Sequence, residues 1–100
     1  MSSVQLRIPP FFACMIHPGT ADWLIFEKEI GDATTVGDIL TDLASKNHSF
    51  CERIFNPVAG TVSDQVDIVL NQKLLHFPGE TDTRLNDGDV VILIPVYTGG

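Results

Sequence analysis

Val4, Leu6 and Ile8 alternate with Gln5 and Arg7. That is the period of a strand with one buried face, and Pro9-Pro10 closes it because proline cannot donate to a ladder. The following "FFACMIHPGTADWLIFEKEI" carries a Pro18-Gly19 turn signal ahead of a β-rich run from Trp23 to Glu27. It reads as a loop leading into a second strand, joined to the first as a hairpin. The period then changes. In "TTVGDILTDLASKN", Val36, Ile39, Leu40 and Leu43 fall at helical spacing, Thr35 is placed to cap, and Asp38 follows three residues on, near the positive end of the helix dipole. Gly37 in the first turn costs about 1 kcal/mol against alanine, so this helix must be held by packing its apolar stripe on a sheet. "SFCERIF" repeats the spacing as a second short helical turn, and Asn56-Pro57 stops it.

Val66, Ile68 and Leu70 alternate again, Asn71-Gln72 turns the chain, and Leu74-Leu75 return. Asparagine tolerates the positive φ that such a turn asks of its first position. His76 to Thr83 reads as a loop, Asp87-Gly88 as a turn with glycine supplying positive φ, and Val90 to Ile94 as a last strand. The order strand, strand, helix, strand, strand makes this an α+β chain. A last strand that is apolar on both faces belongs at the centre of the sheet, or turns one face to a partner. If Val91 and Leu93 point into the core, Ile92 and Ile94 point outward. The alternative is that Phe11, Phe12 or Phe77 covers that outward pair.

One hundred residues with 44% hydrophobic and 19% charged positions make a single folded domain rather than a disordered chain. Thirteen acids against six bases give a net charge of −7. No basic cluster exists to neutralise phosphates, which argues against nucleic acid and anionic membrane surfaces and for a basic partner. No stretch approaches a membrane span and no signal sequence opens the chain, so a cytoplasmic location is expected. Cys14 and Cys51 lack the CxxC spacing and are expected as packed thiols, not a disulfide.

Enzymatic constellations are thin. His17, His48 and His76 are far apart and accompanied by no metal-ligand spacing, and neither a GxSxG elbow nor a phosphate-binding glycine loop occurs. The chain is expected to build no active site and to bind no metal or cofactor of its own. What remains is the terminal pair Gly99-Gly100. Two residues without Cβ thread a narrow tunnel and deliver a carboxylate to a distant site.

The order of elements, "TTVGDILTDLA", "VDIVLNQKLL" and above all "LNDGDVV" followed by a terminal Gly-Gly resemble the MoaD/ThiS family of ubiquitin-like sulfur carriers. The resemblance spans essentially the whole chain. It implies a ubiquitin-like β-grasp fold over residues 1–96, a mixed sheet on one main helix, and a flexible tail over 97–100. It also implies that Gly100 is adenylated, with ATP used by a ubiquitin-activating-like adenylyltransferase, and then thiocarboxylated, with Gly99 as its necessary small neighbour. Sulfur would pass to a sulfur-accepting synthase, with the molybdopterin synthase large subunit as first expectation. Thiamine-type or cysteine-type synthesis, or conjugation through Gly100 as a protein modifier, are the alternatives. Ile92 and Ile94 would dock the partners, beside Pro95, and Val96 and Tyr97 would line the tunnel entrance.

Overall fold

The computed structural model describes residues 2–17, 19, 22–76 and 79–96, with Met15 described by its backbone only. Among the described residues, seven strands and three helices follow in the order β1 (Ser2–Ile8), α1 (Pro10–Ile16), β2 (Leu24–Ile30), α2 (Val36–Lys46), α3 (His48–Arg53), β3 (Phe55–Asn56), β4 (Thr61–Val62), β5 (Val66–Leu70), β6 (Lys73–Leu75) and β7 (Val90–Pro95). Five strands form one mixed sheet in the order β2-β1-β7-β5-β6, and β3 pairs with β4 in a separate two-stranded piece. β1 and β7 run parallel, while the other neighbours in the large sheet are antiparallel. The last strand is therefore central, as its two apolar faces require.

The sheet has one strand more than the order read from the sequence, because both arms of the Val66–Leu75 hairpin pair and β7 adds to them. Its turn places Asn71 at φ 49° and Gln72 at φ 72°. Two successive left-handed residues match the twist of the flanking strands. Gly88 also has positive φ, at 86°.

α2 begins as its sequence dictates. The Thr35 side chain accepts from the Asp38 N–H at 3.1 Å, and the Asp38 carboxylate accepts from the Thr35 N–H at 3.0 Å. The next free donors go to the loop before β7: Val36 N–H to the Thr83 carbonyl and Gly37 N–H to the Thr81 carbonyl, both at 2.9 Å. These four bonds satisfy amides that an isolated helix leaves without partners. Val36, Ile39, Leu40, Leu43 and Ala44 are buried against the inner face of the sheet, where Leu6, Ile8, Ile68, Val91 and Leu93 are 1% exposed or less.

Three expectations are corrected. The segment after Pro9 is a helix, not a loop: Pro10 occupies its first position, where a missing N–H costs nothing and φ is already helical. α1 buries Phe12 and Ala13 and leaves Phe11 exposed, so β1 and β2 are antiparallel neighbours joined through a helix rather than a simple hairpin. Cys14 is exposed on that helix instead of packed, with its thiol directed to the Phe11 carbonyl at 3.6 Å; Cys51 is half-buried and both thiols are free. β3 and β4 had no counterpart in the sequence reading, because two-residue strands carry no period.

Candidate functional site: the outer sheet face and the end of the last strand

β7 places its residues alternately on the two faces of the sheet. Val91 and Leu93 are in the core, so Ile92 and Ile94 face away from α2; Ile92 is half-buried and Ile94 is 41% exposed. The strand is anchored to its end. Pro95 pairs with Val66, and the Val96 N–H donates to the Gln65 carbonyl at 2.8 Å, so the backbone is held through Val96. Pro95 and Val96 are both half-buried. Tyr97, Gly99 and Gly100 lie outside the described residues, as does Phe77. Of the other rings weighed as a cover for Ile92 and Ile94, Phe12 is in the core and Phe11 is turned to solvent.

Phe11 and Phe12 instead line a groove of about 520 Å³ beside the end of β7, with Arg53 and the segment Ser63–Val66. That segment includes Gln65, the residue that receives the Val96 amide. Val96 itself therefore sits at the rim of this groove.

Strand pairing assembles a second feature that no single stretch of sequence contains. Arg7 stands opposite Ile25 on one side and Ile92 on the other; Ile92 stands opposite Val69, and Val69 opposite Leu74. The outer face thus carries a row Ile25–Arg7–Ile92–Val69–Leu74 across all five strands. Ile25 is 57% exposed and Leu74 42%. Ile94 extends the row one step towards the end of β7, opposite Asp67. A shallow pocket of about 320 Å³ opens next to the row, floored by Val90 and Ile92 and walled by Arg7 and the Asn71-Gln72 turn.

The chemistry of the described residues is otherwise sparse. His17, His48 and His76 are exposed, and His48 pairs with Glu52 at 2.8 Å on the surface of α3. Among the described residues no group of three His, Cys, Asp or Glu side chains is arranged to hold a metal ion. No described helix is long and apolar enough to cross a membrane. The carboxyl of Asp42 is held below its usual range, by the hydrogen bond from Lys28, then that from Lys46, yet these groups tie β2 to α2 and lie away from the outer face.

A mixed five-stranded sheet packed on one main helix, with its last strand central, is the ubiquitin-like β-grasp fold. Residues 22–100 match the ThiS family, and the chain belongs to that family. Sulfur carrier protein CysO of Mycobacterium tuberculosis (strain ATCC 25618 / H37Rv) is 31% identical over 67 residues, 66% of this chain and 72% of CysO. The crystal structure of Mycobacterium tuberculosis CysO superposes with a TM-score of 0.67 at 25% identity, covering 94% of this chain and 99% of that one. SAMP1 from Haloferax volcanii has a TM-score of 0.72 at 20% identity, covering 99% and 100%. A putative molybdopterin converting factor, subunit 1, from Pyrococcus furiosus has 0.70 at 23%, covering 97% and 100%. Family members are small sulfur carriers, non-catalytic proteins that work with activating and sulfur-accepting enzymes.

Proposed function

We propose that this chain carries sulfur as a thiocarboxylate on Gly100 for an acceptor of the cysteine type, a reading supported by its likeness to the sulfur carrier protein CysO. The observation that carries this reading is the 31% identity to a named sulfur carrier over 67 residues, together with the family match through residue 100. The likeness to the Pyrococcus furiosus protein is one of fold, so a molybdopterin-type acceptor becomes an outcome of the test.

The chemistry divides between carrier and partner. The Gly100 carboxylate attacks the α-phosphorus of ATP on an adenylyltransferase, forming the acyl adenylate and releasing pyrophosphate. Hydrosulfide then attacks the acyl carbon of the adenylate and AMP leaves, so that sulfur replaces one oxygen of the original carboxylate as a thiocarboxylate. That sulfur is the nucleophile passed on, and hydrolysis of the thioester formed with the acceptor returns the carboxylate. Glycine at 99 and 100 lets the backbone pass a constriction that a Cβ would block. Ile92, Ile94 and Pro95 form the face that docks, and Val96 and Tyr97 lead to the tunnel entrance.

Incubation with the adenylyltransferase of the same organism, ATP and a sulfide source, followed by intact mass spectrometry, tests the reading. The expected product has one oxygen replaced by one sulfur, and a chain lacking Gly99 and Gly100 stays unchanged. An unchanged full-length chain overturns it. The thiocarboxylated carrier is then offered to a pyridoxal-phosphate cysteine synthase and to a molybdopterin synthase large subunit; loss of the sulfur to one identifies the acceptor. A carrier joined to lysine by an isopeptide bond under these conditions assigns the modifier role instead.

A further inference from the structure

Arg7 is the one cation in a row whose other four members are apolar. Its Nε donates to the Gln5 side-chain oxygen, and among the described residues no carboxylate lies within ion-pairing distance of its guanidinium. It stands between Ile25 and Ile92, both on the outer face, so no surface can cover that pair without also covering Arg7. A guanidinium taken out of water with no counter-charge costs far more than the flanking isoleucines return.

We propose that Arg7 selects the partner: the protein surface that covers the outer row is apolar and presents a carboxylate side chain to the Arg7 guanidinium. The inference deepens the carrier reading, on which it rests, by stating what chemistry the activating partner must offer. With Nε committed to Gln5, the two terminal nitrogens remain, and together they take both oxygens of one carboxylate. The pocket beside Arg7, about 320 Å³ with Val90 and Ile92 as its floor, is large enough for an aspartate or glutamate side chain. A phosphate-bearing surface is disfavoured, because Glu27, Glu29 and Asp67 stand exposed or half-exposed on the same face and the chain carries −7. Those acids steer basic regions of a partner to the rim, while the carboxylate is required at the centre.

ATP–pyrophosphate exchange with the adenylyltransferase of the same organism tests the inference, with carrier concentration varied. Arg7→Leu raises KM for the carrier by about 30-fold or more, because the partner carboxylate is left buried and unpaired, and Arg7→Glu raises it further. Arg7→Lys falls between, and kcat stays within about twofold of wild type in all three. The wild-type KM climbs with salt and that of Arg7→Leu does so less. Charge reversal of one acidic residue on the adenylyltransferase restores Arg7→Glu. Thermal unfolding of each variant separates lost docking from lost folding, and Arg7→Lys keeps the test open should the leucine variant be unstable. A KM for Arg7→Leu within about threefold of wild type, or below it, overturns the inference while leaving the carrier reading standing. A wild-type chain that supports no exchange overturns both. Self-association of the wild type that Arg7→Glu abolishes assigns the face to a second copy and also overturns it.

Discussion

The N–H of Gly37 donates to the Thr81 carbonyl at 2.9 Å, and a Cβ on Gly37 would meet that same oxygen at 2.9 Å and press into the Thr81 methyl group. Glycine in the first turn of α2 is thus a condition for docking the loop before β7 onto the helix. Gly37→Ala separates this from propensity. Propensity alone favours alanine by about 1 kcal/mol, whereas the close approach to backbone makes the change destabilising by about 1–3 kcal/mol. Urea unfolding decides the sign, and a gain in midpoint would show that the contact is not formed in solution.

Leu93 and Ile94 are neighbours on β7 with opposite surroundings, one fully buried and the other 41% exposed. Leu93→Ala is expected to cost about 2–5 kcal/mol, through lost burial and the cavity left behind. Ile94→Ala should stay within about 0.5 kcal/mol in stability. Its loss is expected in the affinity for the adenylyltransferase, read by titration calorimetry. Equal affinity of Ile94→Ala and wild type would remove Ile94 from the docking face.

The turn between β5 and β6 holds a strained residue beside a committed one. Gln72 has φ 72°, a conformation that costs an ordinary side chain about 1 kcal/mol, so Gln72→Gly should raise stability by roughly that amount. Asn71 accepts from the Val90 N–H at 3.0 Å and donates to Asp89 at 2.8 Å, joining the turn to the start of β7. Asn71→Ala is expected to destabilise by about 1–2 kcal/mol. Paired thermal melts of the two variants should move in opposite directions.

Lys28 and Lys46 both reach Asp42, at 3.0 and 3.2 Å. Hydrogen bonding from Lys28, then from Lys46, lowers the pKa of Asp42 in the folded protein. A depressed carboxyl contributes stability above its unfolded pKa, near 3.9, and that contribution disappears as pH falls through the folded value. Asp42→Asn should therefore unfold at a slightly lower denaturant concentration at pH 7, and the difference should shrink as pH falls through the folded carboxyl's titration. The effect is small because the pair is partly solvated and screened by salt. NMR titration of the Asp42 carboxyl gives the direction on its own.

Elements with several turns or alternations were legible because their signals are local. Thr35 and Asp38 announced the start of α2, and Asn71-Gln72 the hairpin. The two apolar faces of β7 allowed a central place or a face turned to a partner, and the sheet order shows the central place. α1 is hidden because Pro9-Pro10 reads first as a strand breaker, although Pro10 at the first helical position with Phe12 and Ile16 at i, i+4 spacing is a usable helix signal. Gly37 looked like a propensity defect, since nothing near it in the chain shows that Thr81 comes so close.

The candidate face divides in the same way. Alternation along Val90–Pro95 is set by neighbouring residues, and it determined which side chains of the last strand turn outward. That Arg7 stands between Ile25 and Ile92 was decided by the antiparallel β1–β2 pairing and the parallel β1–β7 pairing. The second joins opposite ends of the chain, and its register depends on how the two strands cover α2. A side-chain period is a property of a few adjacent residues, whereas a cross-strand neighbour is chosen by burying the whole core at once, and only the folded chain performs that choice.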